Sequence, residues 1–95
     1  MDELSPRPVH PGEILREDFL PDYELTAGSL ARALFVPRDR IEKIIREKRE
    51  VTADTAKRLA RYFGTTPQFW MNLQANYDLA TVSEEGMQRI EARAG

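Results

Sequence analysis

The sequence predicts an all-α protein: five helices with a short additional helix at the C-terminus. Apolar residues recur at three- and four-residue spacing, as in Ala56, Leu59, Ala60 and Phe63, which is the stripe of a helix with one buried face. Threonines stand as N-caps ahead of these runs, at Thr26 and Thr52, and Thr66-Pro67 restarts the chain into another. No stretch alternates with the period of two that a half-buried strand needs.

Taken in order, residues 1–9 contain two prolines and no apolar period, so they are expected to form a flexible arm. The main domain is expected over residues 10–80. Pro11 suits the first position of helix one and Glu13 favours its dipole, while Pro21 is expected to stop that helix near Leu20. Helix two buries Leu30, Ala31 and Leu34. Phe35-Val36-Pro37 forms a turn and Pro37 opens helix three. Lys48-Arg49-Glu50-Val51 is a basic connector, and Gly64 ends helix four. Helix five is expected over about residues 67–79, and Ser83-Glu84-Glu85 starts a last helix within residues 81–95.

Helix five has two apolar sectors. Phe69, Trp70, Leu73 and Tyr77 fill one, and Met71, Ala75 and Leu79 lie nearly opposite. A helix apolar on two sides is buried on two sides. The second side packs against the last helix, through Met87 and Ile90, or joins it in a homodimer interface. The two readings are compatible, and a chain of 95 residues gains needed buried area from dimerisation. Trp70 and its aromatic neighbours read as core rather than as a platform for stacked bases.

Composition excludes several functions. There is no cysteine, and His10 is the single histidine. Disulfide frameworks, thiolate zinc sites and Ser-His-Asp or Cys-His catalysis are therefore not expected. His10 reads as a cap for the chain entering helix one. No cofactor, metal or enzymatic activity is expected, and no apolar run reaches a membrane span. The start, Met1-Asp2-Glu3, is acidic where a signal peptide would be basic, so a cytoplasmic protein is expected.

The net charge of −2 hides a strong division. Residues 1–25 carry two arginines against seven acids, residues 26–61 ten bases against five acids, and residues 62–95 two bases against four acids. The positive segment coincides with helices two to four, the footprint expected of a nucleic-acid-binding face. Within it, Thr26–Lys48 reads as two short helices and a tight turn. With about 100° per residue, Ile41, Ile44 and Ile45 share one face of helix three. Asp39, Glu42, Lys43 and Arg46 gather opposite, and Arg38 and Arg40 flank the boundary. An apolar back with donors and acceptors in front suits a helix that docks on its own domain and reads a major groove.

The ordered set HPGEILREDFL, VPRDRI and VTADTAKRLARYFGTTPQFWMNLQANYDL resembles the HigA-type antitoxins of the phage-repressor-like (Xre) helix-turn-helix family, over about residues 10–80. The resemblance implies a five-helix domain that binds, as a dimer, a palindrome in its own operon's promoter. It also implies a partner toxin of the HigB type, related to RelE, which cleaves ribosome-bound messenger RNA and is neutralised by the antitoxin. In such repressors the first residues of the recognition helix, and one a turn later, reach base edges. Here these are Arg38, Asp39, Arg40 and Lys43. Arginine and lysine reach guanine O6 and N7, and Asp39 accepts from cytosine or else serves the helix dipole and pairs Lys43. Thr26 and Ser29 suit a phosphate or a simple cap; Arg46, Lys48 and Arg49 suit the DNA backbone after helix three or a solvated loop. Arg32, Lys57, Arg58 and Arg61 read as ordinary surface charges.

Two departures stand out. Phe35 occupies the turn position where such repressors commonly carry a left-handed glycine, so it is strained unless the turn has another shape. Arg46-Glu47 replaces a common Asn-Gly, which would let helix three run a turn longer. A stand-alone regulator of the same fold and a protein-binding adaptor without DNA binding are the competing functions.

Overall fold

In the computed structural model, residues 7–93 are described. Of the arm expected over residues 1–9, residues 1–6 lie outside the described residues. Arg7, by contrast, is tied down by a two-pronged ion pair to Glu13.

The first helical segment, α1, spans residues 11–22 in three pieces: an α-turn Pro11–Ile14, a π-turn Leu15–Phe19 and an α-turn Leu20–Asp22. Pro21 does not stop it. A proline inside a regular helix lacks a donor and crowds the carbonyl four residues back. The wider π-turn directly before it, where the Leu20 N–H donates to Leu15 O, accommodates the ring. The other helices are α2 (Ala27–Leu34), α3 (Arg38–Ile45), α4 (Ala53–Phe63) and α5 (Pro67–Thr81). Among the described residues no helix is long and apolar enough to cross a membrane.

The last helix expected from Ser83 is only a 3-10 turn, Met87–Arg89. Gly86 enters it with φ 85°, and Met87 and Ile90 remain exposed. An apolar pair on so short a turn buries too little to offset the ordering of a longer helix. The second side of α5 is therefore uncovered within the protomer: Met71, Ala75 and Leu79 are exposed.

The five helices close on one core. Leu15 and Leu20 of α1, Leu30 and Leu34 of α2, Ile41 and Ile44 of α3, and Leu59 and Phe63 of α4 are buried around Trp70 of α5. The Trp70 Nε1–H donates to Thr65 Oγ1 at 2.8 Å, so the indole is buried without an orphaned donor. Gln74 is buried as well, its Oε1 accepting from the Val51 N–H at 2.8 Å. That bond fixes the connector to α5, and the helical spacing of α5 gave no sign of it.

Helices α1 to α4 all end on a left-handed residue: Glu24 at φ 54°, Phe35 at 58°, Glu47 at 62° and Gly64 at 74°. Only the last is the residue type that adopts this conformation without strain. At Phe35 the turn keeps the glycine geometry: its N–H donates to Arg32 O at 3.2 Å and the Val36 N–H to Ala31 O at 3.0 Å. The ring stands 88% exposed. Glu47 repeats the pattern after α3, bonding to Ile44 O at 2.9 Å while Lys48 bonds to Lys43 O at 2.8 Å. Helix α3 therefore does not run a turn longer, because Glu47 itself accepts the left-handed position at a cost of about 1–2 kcal/mol.

His10 caps α1. Its Nδ1 accepts from the Gly12 N–H at 2.8 Å, and its ring meets Tyr77 edge-on with centroids 4.9 Å apart. Burial, opposed by the nearby Glu47 and Asp78 carboxylates and aided by Arg16, holds the imidazole pKa below its ordinary 6.5. A depressed histidine contributes stability above its unfolded pKa and loses it as pH falls through the folded value. Protonating Nδ1 also abolishes the cap. Between about pH 7 and pH 5, wild-type protein should lose more stability than His10→Asn, which keeps an acceptor but cannot titrate, the difference being about 1 kcal/mol. Parallel melting curves for the two proteins across this range would show that His10 does not carry the effect.

Candidate nucleic-acid interface

The candidate surface is built on α2 and α3, which pack together through Leu30, Leu34, Ile41 and Ile44. Burying Ile41 and Ile44 at 0% exposure commits the back of α3 and leaves its polar residues outside. Pro37 precedes the helix in an extended conformation, and its side chain makes no cap. The Arg40 N–H turns back to Pro37 O at 3.0 Å, and the Arg38 and Asp39 N–H groups ahead of it have no cap among the described residues.

On the outer face Arg38 pairs with Glu42 at 2.9 Å, and Lys43 with Asp39 at 3.2 Å. The Arg38, Lys43 and Asp39 side chains are all more than half exposed. Exposed pairs of this kind are worth well under about 1 kcal/mol and open readily when a better partner arrives. Arg38 also leans over the start of α2: its Cδ and Nε, with Arg32 Nη1, lie 3.7 Å from where a Cβ on Gly28 would stand. Two guanidinium groups thus crowd the N-terminal turn of α2.

That turn is closed by a reciprocal capping box. The Ser29 N–H donates to Thr26 Oγ1 at 3.0 Å and the Thr26 N–H to Ser29 Oγ at 2.9 Å. Thr26 and Ser29 are therefore caps first. At the far end of α3, Arg46, Lys48 and Arg49 are exposed and form no ion pair among the described residues. The left-handed Glu47 directs the chain through this basic turn.

Arg40 is not grouped with Arg38, Asp39 and Lys43. Only 24% of its side chain is exposed, and it turns towards α4, where Nη1 donates to Asp54 Oδ2 at 2.8 Å. The same Asp54 oxygen accepts from Arg58 Nε at 3.0 Å. Arg58 in turn donates through Nη1 to Leu34 O at 2.7 Å, at the end of α2. These bonds, Arg58's first and then Arg40's, hold the Asp54 carboxyl below the usual aspartate range. Arg58, expected to be an ordinary surface charge, is a structural link. The Asp54–Arg58 spacing of four was a visible helix-pair signal, whereas the link from Arg40 to Asp54 needs the tertiary fold.

The far end of α3 is held from α1. Arg16 donates to Ile45 O and lies 3.4 Å from the Glu47 carboxylate. A cation on the open carbonyls of a helix C-terminus favours both the hydrogen bond and the dipole. Next to it, Gly12 brings the backbone of α1 against α3 so closely that a Cβ would lie 1.8 Å from Ile44 O.

This arrangement, two packed helices joined by a left-handed turn with the second presenting a polar face, is that of a helix-turn-helix protein. The chain belongs to the helix-turn-helix family described as HTH_3, which matches residues 23–70. Within that family it is similar to the HigA antitoxins: the structure of the Pseudomonas aeruginosa antitoxin HigA with the higBA promoter superimposes with a TM-score of 0.82 at 50% identity, covering 90% of this chain and 92% of that one. Virulence-associated protein I of Dichelobacter nodosus is 52% identical over 77 residues, 81% of this chain and 71% of that protein. Antitoxin HigA-1 of Vibrio cholerae is 38% identical over 79 residues, 83% of this chain and 74% of that one.

Proposed function

We propose that this protein is the antitoxin and autorepressor of a type II toxin–antitoxin pair, binding a palindromic operator in its own promoter as a homodimer. The observation that supports it most is α3, whose back is fully buried while Arg38, Asp39 and Lys43 stand outward beside the capped start of α2. In this reading Arg38 and Lys43 donate to guanine edges, and Asp39 accepts from a cytosine amino group. Thr26, Ser29 and the first N–H groups of α2 meet one phosphate run, and Arg46, Lys48 and Arg49 meet another. The dimer forms through Met71, Ala75 and Leu79 of α5 with Met87 and Ile90, the apolar surface that the protomer leaves open. Its two recognition helices then lie about one DNA turn, roughly 34 Å, apart or a multiple of it. The toxin neutralised is a HigB/RelE-like ribonuclease; the acidic residues 1–25 would suit such a basic partner.

The test separates residues that read bases from residues that hold the backbone. Lys43→Ala should cost about 1–3 kcal/mol on the operator and relax preference at one base position. Lys48→Ala should weaken all duplexes alike and reduce the salt slope by about one. Titrations against the promoter and against a scrambled duplex supply both readouts. An unchanged base preference in Lys43→Ala would place the reading face elsewhere.

A further inference from the structure

The link between Arg40 and Asp54 has a role that stability does not explain. Asp54 is more than half exposed, and an ion pair so placed contributes little to folding. Its partner is nonetheless drawn inward: Arg40 Nε is buried, with no hydrogen-bond acceptor among the described residues. One carboxylate oxygen gathers two guanidinium groups, and the second of these continues to Leu34 O immediately before the strained Phe35. The first turn of α3, the first turn of α4 and the end of α2 are thus joined by one chain of charge-assisted bonds.

Apolar packing alone does not fix how α3 presents its front. Ile41 and Ile44 anchor a single stripe, and Gly12 and Arg16 hold only the far end of the helix, at Ile44 and Ile45. The Arg40 tie acts from the flank of the helix, off that stripe, where it resists rolling. It also keeps two cations, Arg40 and Arg58, occupied beside the proposed DNA face, where free arginines would seek phosphates of any sequence.

We infer that Asp54 is a positioning and selectivity residue for DNA recognition: it sets the orientation of α3 through Arg40 and withholds Arg40 and Arg58 from non-specific phosphate contact. This rests on the proposal that α3 enters the major groove. Arg40 on this account orients the reading helix and does not itself read a base.

The experiment compares wild-type protein, Asp54→Asn and Asp54→Glu on the promoter duplex and on a scrambled duplex across a salt series. Asn keeps the size of the side chain and, at an exposed position, should leave the melting temperature close to wild type. Freed arginines should raise scrambled-duplex affinity about tenfold near 0.1 M salt and steepen the salt slope by about one to two. Promoter affinity should not rise in step, so the ratio of promoter to scrambled binding should fall about tenfold. Asp54→Glu, which keeps the charge, should restore most of that ratio. A companion variant, Arg40→Met, breaks the same tie: promoter affinity should fall, with preference weakened at several operator positions together and abolished at no single one. Wild-type ratio and slope in Asp54→Asn, or preference lost at a single operator position alone in Arg40→Met, would overturn the inference while leaving the DNA-binding proposal intact. Failure of the wild-type protein to prefer its promoter would overturn both.

Discussion

Gly12→Ala should be the most destabilising single-methyl change in this protein. The new Cβ would stand 1.8 Å from Ile44 O and 2.7 Å from its carbonyl carbon, and a backbone carbonyl inside a helix cannot swing aside as a side chain can. Relief requires α1 to lift from α3, which would also strain the bond from Arg16 to Ile45 O and the His10 cap on Gly12 N–H. Overpacking at a yielding site costs about 1–3 kcal/mol. Here the loss should be roughly 3 kcal/mol or more, a large part of the roughly 5–15 kcal/mol that a small domain possesses. Gly64→Ala is the control: its φ of 74° is strained for alanine, yet among the described residues no atom beyond its chain neighbours lies within 4 Å of the added methyl, so it should cost about 1 kcal/mol. Urea denaturation of the three proteins checks the ordering. Equal midpoints for Gly12→Ala and wild type would mean that α1 is not seated on α3 in solution.

Leu79→Glu should have the largest effect on DNA binding, although Leu79 belongs to no proposed DNA contact. The residue is 75% exposed in the protomer, and the core around Trp70 does not depend on it. The variant should therefore stay folded, melting below wild type only by the stability that dimerisation lends. If Leu79 lies in the dimer interface, the new carboxylate must be desolvated against apolar side chains, and the monomer is favoured. Two half-sites bound through one rigid dimer exceed single-site affinity by about 10²–10⁴-fold. Operator affinity should fall by that order, while residual binding keeps the same base preference. Sedimentation and operator titration on the same preparation decide the matter. A dimer with wild-type affinity would leave the Met71, Ala75 and Leu79 stripe without a role in assembly.

The helices were legible in the sequence where one physical rule governed them. The apolar spacing of Leu30, Ala31 and Leu34, and of Ala56, Leu59, Ala60 and Phe63, matches the residues that are buried. Thr26, Thr52 and Thr66 each cap the helix they precede. These are local matters, decided by hydrogen bonds and periodicity within a few residues. The expectations that failed were those in which a neighbour in space had the last word. Pro21 continues a helix because a π-turn makes room for it. Ser83 starts no full helix, because Met87 and Ile90 find too little cover among the described residues.

What the sequence by itself determined is the all-α architecture, the amphipathic α3 and the concentration of positive charge on residues 26–61, because each depends on residue type and spacing alone. What only the tertiary structure decided is which charged residue faces where. Arg40 and Lys43 are both cations on α3, yet Lys43 points outward to Asp39 and Arg40 turns to an aspartate fourteen positions along the chain. Glu47 and Phe35 occupy left-handed turns that their residue types disfavour, and Gly12 is indispensable only because α3 lies against it. A side chain's charge is written in the chain, but the partner it finds depends on how the helices pack, and that packing is fixed by the summed contacts of the whole core.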